Sequence, residues 1–251
     1  MYYLLVTFLG WLSGAIVNYF SDVLPRRRHI SRPFCLQCNS PQPSLNYLFW
    51  PRRCSNCGAR RPLRTWIVEI IYICLSFYLA LTPPNELVYL LSLLLLTYFG
   101  IVTVIDLEHR LILHPVSLVG ALLGFAIGVG LHGLRSTLLG GAAGYGIMLL
   151  LYFLGIVFIR FITRWRAQEI DEVALGFGDV NLGGVIGLIL GWPGIIAGLL
   201  LAILLGGFTS LLYLLAMALR RKYRPDLVLP YGPFMVISTV WLLFFRDVLL
   251  L

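Results

Sequence analysis

Two kinds of side chain in this sequence stand at spacings that could do chemistry: paired cysteines and isolated aspartates. Cys35-Leu-Gln-Cys38 and Cys54-Ser-Asn-Cys57 are two Cys-x-x-Cys knuckles with 15 residues between them. Two residues between cysteines let both thiolates face one ion from a tight turn. Two such pairs complete the tetrahedral sulfur shell of structural zinc. Gly58, directly after the second pair, suits the turn geometry. Four cysteines leave no open position on the metal, so its role is to fold the segment and not to catalyse. The alternative pairing is two disulfides. Cys74 lies within an apolar run and reads as packing.

The aspartates carry the other chemistry. Asp106 closes the apolar run Ile101-Val102-Thr103-Val104-Ile105, and Asp179 opens a glycine-rich stretch after Gly176-Phe177-Gly178. A carboxylate near hydrocarbon is costly, so each one calls for an account. Two carboxylates in a low-dielectric site can hold one proton between them. One then acts as base on a water while the other protonates the leaving amine or polarises the carbonyl, as in aspartic peptidases. Glycines at 176 and 178 leave room for a substrate backbone or a neighbouring helix to approach Asp179. The competing account is two helix-end aspartates solvated at the interface, with Asp179 capping its own helix. Glu69, four residues into another apolar run, could pair with an arginine such as Arg64 or line the site. His109 and His114, flanking Asp106, read as solvated loop residues.

The elements that must position these residues follow from composition. The chain has 251 residues, 59% hydrophobic and 12% charged, with a mean hydropathy of +0.89. Soluble domains carry about twice that charge, and disorder needs low hydrophobicity. Five cysteines are too few for a disulfide-stapled module of this length. The apolar runs are continuous and not alternating, which excludes a transmembrane barrel. The expected fold is all-α, a polytopic membrane helix bundle of about eight spans. These fall near residues 2–20, 66–82, 87–105, 115–131 and 138–162, twice within 182–219, and from 231 onward. Residues 182–219 would make about 57 Å of helix, too long for one crossing of a roughly 30 Å core, so Gly191-Trp192-Pro193-Gly194 is expected to break them. Three regions result: a retained first span (1–20), a polar cysteine-bearing insert (21–65) and a bundle (66–251).

Orientation follows from charge. Lys+Arg is 19 against 11 acidic residues, and nine arginines fall between Arg26 and Arg64. A basic loop between spans is a topology signal before it is a nucleic-acid footprint, and no nucleic-acid partner is expected. With the insert in the cytoplasm, 17 basic residues lie inside and only Arg135 and Arg246 outside. That side is reducing, which favours zinc over disulfides.

Gly176-Phe177-Gly178-Asp179, followed by Gly187-x-x-x-Gly191-Trp192 and by Pro230-Tyr231-Gly232-Pro233-Phe234, resembles the type IV prepilin peptidase family. Gly14-x-x-x-Asn18 ahead of Leu24-Pro25, the double Cys-x-x-Cys insert, Glu69 and Ile105-Asp106 agree with it, in the family's order. The resemblance implies a membrane aspartic endopeptidase of the Gly-x-Gly-Asp class in the bacterial inner membrane. Such enzymes cut the basic leader from prepilins and pseudopilins at the cytoplasmic face. It implies Asp106 and Asp179 as the catalytic pair, with zinc on Cys35, Cys38, Cys54 and Cys57. It also implies methylation of the new N-terminal residue from S-adenosylmethionine. Val23, Asn181 and Leu113-His114 stand where the family commonly carries Arg, Lys and Pro-Asn or Pro-Asp. No Gly-rich nucleotide fingerprint locates a methyl-donor pocket.

A basic leader would be repelled by an arginine-rich insert. Glu169, Asp171 and Glu172, close together before Asp179, are expected to attract it while the arginines face anionic lipid; a merely solvated loop is the alternative. With Gly176, Gly178 and Glu69 they complete the candidates for substrate contact. Two other functions fit the composition: a channel or carrier with a zinc-stabilised cytoplasmic knob, and a scaffold of a secretion machine. Against the first, no acid sits mid-span and no clear inverted repeat is visible.

Overall fold

A backbone with no water to bond must close its hydrogen bonds within the segment. The chain is accordingly helical. A computed structural model describes residues 1–49, 52–82, 87–166, 176–219 and 230–245, with backbone alone for 162–166. Among these residues no strand is formed beyond two isolated bridges, Phe34 with Pro41 and Arg53 with Arg60. The helices are α1 (Tyr2–Arg27), α2 (Ser44–Leu48), α3 (Leu63–Leu81), α4 (Tyr89–His109), α5 (His114–Arg166), α6 (Phe177–Leu190), α7 (Gly194–Leu219) and α8 (Gly232–Phe244).

α1, α3, α4, α5 and α7 are long and apolar enough to cross a membrane. α6 and α8, both expected as full spans, have 14 and 13 helical residues. Two expected spans meet in α5, which turns at Gly133 through a backbone conformation (φ 77°, ψ 164°) that favours glycine. The break expected after residue 190 is present. Gly191 ends α6 at φ 64° and α7 starts at Gly194. α1 runs on through Pro25 to Arg27, past the expected exit at Phe20.

The chain divides into two compact units, Met1–His109 and Arg110–Leu251. In the first, α1 packs on α3 and α4. Glycine allows the closest approach: a Cβ on Gly14 would stand 2.8 Å from the Cα of Glu69. Polar groups inside the unit find partners, with Ser76 Oγ donating to the Val6 carbonyl at 2.7 Å and Asn18 Nδ2 to the Thr65 carbonyl at 3.1 Å. In the second unit α6 is flanked by α5, α7 and α8. Large apolar residues such as Leu122, Phe153, Leu204 and Phe208 face outward, as expected where the surroundings are lipid.

Gly140 and Gly144 of α5 meet Gly183 and Gly187 of α6. A Cβ on Gly187 would strike the Gly140 carbonyl oxygen, and one on Gly144 would strike that of Gly183. Two pairs of glycines thus let the α5 and α6 backbones touch directly. Gly187→Leu is expected to force these helices apart and to cost about 1–3 kcal/mol. A scan of the detergent-solubilised protein reads this as a fall in Tm of several degrees; an unchanged Tm would show that the two backbones are not in contact there.

Candidate functional site

The insert builds the same turn twice. In the first knuckle the Cys35 N–H donates to the Ser40 carbonyl at 2.9 Å and the Asn39 N–H to the Cys35 carbonyl at 3.0 Å. In the second, the Cys54 N–H donates to the Ala59 carbonyl and the Gly58 N–H to the Cys54 carbonyl, both at 2.9 Å. Asn39 (φ 56°) and Gly58 (φ 70°) hold the left-handed position after each second cysteine, the conformation that Gly and Asn tolerate best. Gly58 was visible in the sequence, and Asn39 is its counterpart.

The four Sγ atoms lie within 4.8 Å of one another, with Cys35–Cys57 and Cys38–Cys54 both at 3.6 Å. Sulfurs about 2.3 Å from a tetrahedral ion would be roughly 3.8 Å apart, so the donor set fits such a metal. The thiols already share charge unequally. A hydrogen bond with Ser40, then the N–H groups of Cys57 and Asn56, hold Cys54 down to about 5. Ser40 also lowers Cys38. The Ala59 N–H pulls Cys57 down, but the neighbouring thiols and burial outweigh it and push that thiol up to about 12. Four thiolates this close need a cation before all can ionise.

Asp106 sits in the last turn of α4 with 5% of its surface exposed. Asp179 is the third residue of α6. Its Oδ2 accepts the Gly176 N–H at 3.1 Å while its own N–H donates to the Gly176 carbonyl at 3.0 Å. The carboxylate thus caps its helix at the positive end of the dipole. The two expected accounts of Asp179 do not exclude each other, since a capped carboxylate is also a fixed one. At Gly178 a Cβ would stand 2.7 Å from Ile112 Cβ, so a neighbouring segment of the chain uses that space. At Gly176 the nearest group in reach is Asp179 itself, at 3.4 Å. Asp106 belongs to the first compact unit and Asp179 to the second. His114 Nδ1 and Asn181 Nδ2 are 3.4 Å apart, which ties the start of α5 to α6.

Residues 89–211, which include both aspartates, match the family model described as the type IV leader peptidase family. Over that stretch, just under half of its length, the chain is similar to the family. The chain is also similar to the prepilin leader peptidase/N-methyltransferase of Aeromonas hydrophila, 28% identical over 227 residues, covering 86% of this chain and 72% of the relative. The protein of the same name from Bacillus subtilis (strain 168) is 25% identical over 236 residues, covering 91% and 85%. No solved structure matches the chain.

The insert is tied to the helices by buried charge. Glu69 does pair with an arginine, but with Arg52 at 2.9 Å and not with Arg64. The Arg52 guanidinium lies 4.2 Å over the Trp66 ring. Arg64 instead reaches Asp22 and, at 3.0 Å, Glu108. Asp22, only 5% exposed, also takes Arg61 at 2.8 Å and the Tyr47 hydroxyl at 2.5 Å. Burial, then the Asp22 charge, pushes the Tyr47 phenol well above its usual range. Removing one partner from a buried pair of this kind costs about 3–5 kcal/mol.

Asp22 went unnoticed in the sequence because it borders a polar insert and reads as hydrated. Its signal was the four-residue spacing Gly10, Gly14, Asn18, Asp22, one helix face, buried throughout. Glu169, Asp171 and Glu172 lie outside the described residues. At neutral pH the protein is expected to carry one zinc per chain on the four cysteines. Protons compete for thiolates, so the metal should leave as the pH falls into the acid range. Elemental analysis of the protein dialysed from neutral to acid pH checks it; zinc absent at pH 7, or a zinc content that does not fall with acid, would contradict the assignment.

Proposed function

We propose that this protein is a leader peptidase, an aspartic endopeptidase of the bacterial inner membrane in which Asp106 and Asp179 form the catalytic pair. On this reading it removes the basic leader of prepilins and pseudopilins at the cytoplasmic face. The observation that carries the proposal is a carboxylate almost wholly withdrawn from water, Asp106, in the last turn of an apolar helix. An ionisable side chain at membrane depth is rare and marks a functional site by default. Asp179, fixed by its cap in the first turn of α6, supplies the second carboxyl. One carboxylate takes a proton from the attacking water. The other, protonated, polarises the peptide carbonyl and then passes its proton to the leaving amine.

Zinc held by Cys35, Cys38, Cys54 and Cys57 would supply folding energy to the insert and no step of the cleavage. The relatives' names support an N-methyl transfer, which we read as methylation of the new N-terminal residue with S-adenosylmethionine as donor. Neither of the two described cavities fits that donor. The larger, about 460 Å³, is lined by Leu, Ala, Val and Gly residues with His114, Ser117, Tyr145 and Asn181, and it offers no carboxylate to a sulfonium. The smaller, about 30 Å³, holds little more than a water.

Asp106→Asn and Asp179→Asn are each expected to lower prepilin cleavage by at least about a thousandfold. Mass spectrometry of the reacted prepilin reports cleavage and an added methyl together. Full cleavage by either variant would end the aspartic reading, and a cleaved but unmethylated product would remove the methyl transfer alone. Glu169, Asp171 and Glu172 are proposed to attract the leader by charge. Reversing all three charges should slow cleavage and flatten its salt dependence; unchanged rates at all salt concentrations would refute that attraction.

A further inference from the structure

The insert is not confined to the end of the helices. α1 and α3 run antiparallel, with Asn18 bonded to the Thr65 carbonyl, Gly14 against Glu69 and Gly10 against Ser76. The first knuckle stands at the C-terminal end of α1, where Arg26 Nη1 donates to the Leu36 carbonyl at 3.3 Å. From there the insert also reaches back along the helix. The Tyr47 hydroxyl donates to Asp22, and Arg52 pairs with Glu69 at the level of Gly14. The Phe49 ring centre lies 5.2 Å from that of Trp11. At about 1.5 Å per residue, Trp11 is roughly 14 Å below Phe20, where the apolar run of α1 ends. Both α1 and α3 are long and apolar enough to cross a membrane. Phe49 therefore stands beside the middle of an apolar, membrane-length helix.

The surface of the segment matches that depth. Leu45 and Phe49, one helical turn apart, are 71% and 52% exposed. Phe8, Trp11 and Phe49 form a row of rings with centres 6.0 and 5.2 Å apart, so the apolar outer side of α1 continues onto the insert. Backbone at such depth must find its partners within the protein. The Tyr47 and Phe49 N–H groups donate to the Pro43 and Leu45 carbonyls at 3.1 and 2.8 Å. The Leu48 carbonyl, beyond the reach of its own short helix, takes Arg52 Nε at 3.0 Å and Nη2 at 2.7 Å, and Glu69 answers the charge. We propose that Ser44–Phe49 is embedded in one leaflet of the bilayer, with Leu45 and Phe49 against phospholipid acyl chains. The insert is then anchored in lipid as well as tied to α1. Lipid is the occupant because this surface runs on from the outward side of a spanning helix. Arg26, Arg27 and Arg28, all exposed, stand at the other end of the insert, where headgroups lie. The anchoring needs only that α1 and α3 cross the membrane and does not depend on the catalytic role of the aspartates.

The test is depth-dependent quenching in the full-length protein, held in nanodiscs of phosphatidylcholine and phosphatidylglycerol. A fluorescent amino acid replaces Leu45, Phe49, Phe8 in α1 or Gln37 in the first knuckle, one position at a time. Lipids brominated in the acyl chain should quench positions 8, 45 and 49, and aqueous iodide should quench position 37. The ratio of bromine to iodide quenching at 45 and 49 should exceed that at 37 by at least about threefold. Ratios at 45 and 49 equal to that at 37 would overturn the proposal. So would quenching of neither by bromine, which would mark a face covered by protein. Loss of bromine quenching at position 8 as well would instead remove the membrane placement of α1 beneath it. The unsubstituted protein gives a second reading. A phospholipid with a diazirine in its acyl chain should cross-link the peptide that holds Leu45 and Phe49 and spare the one that holds Gln37; the absence of label on the former would refute the anchoring.

Discussion

A charge that cannot reach water must find its opposite within the chain, and the first unit is organised by that requirement. Asp22 on α1 and Glu69 on α3 are buried. The arginines that meet them, Arg52, Arg61 and Arg64, come from the second knuckle and the chain that follows it. Burying single charges would be prohibitive, while paired and hydrogen-bonded ones are tolerated. The insert therefore cannot sit anywhere else on the helices without orphaning two carboxylates. Arg52 lies two residues before Cys54 and Arg61 four after Cys57. A metal held at those cysteines would leave little freedom at the arginines, so the cysteine cluster and the ion pairs would constrain one another.

The second unit rests on contact instead of charge. Lipid offers no hydrophobic drive for helix association, so close packing must supply the attraction. The glycines of α5 and α6 remove the side chains that would hold the backbones apart. α6 is thereby enclosed by its neighbours, and the residue in its first turn inherits that rigidity. Asp179 is held twice, by its packed helix and by its own bond to the Gly176 N–H. Pre-organisation of this kind is what a reacting carboxylate needs, because misplacement by a fraction of a bond length is costly.

Much of this was legible in the sequence. The cysteine spacing, the glycine that turns the second knuckle, the break between α6 and α7 and the aspartates at the ends of apolar runs all depend on residues close together in the chain. What escaped was non-local. Arg64 was the nearest arginine to Glu69 in sequence, yet five residues along a helix turn it toward Asp22 and Glu108, leaving Arg52 to cross from the insert. The polar residues after Phe20 suggested an end to the first span there, but α1 continues through Pro25 to Arg27, because Asp22 finds its partners inside the unit.

The sequence by itself determined the solvent, the helical class and the metal chemistry. Those follow from the apolar length of each run and from cysteines two residues apart, quantities that no tertiary contact can alter. Only the tertiary structure decided which arginine answers which carboxylate, that Asp22 is buried, and that Ile112 uses the space at Gly178. Each of these depends on which faces of separate helices meet, and that is settled by packing and by the exclusion of water over the whole unit.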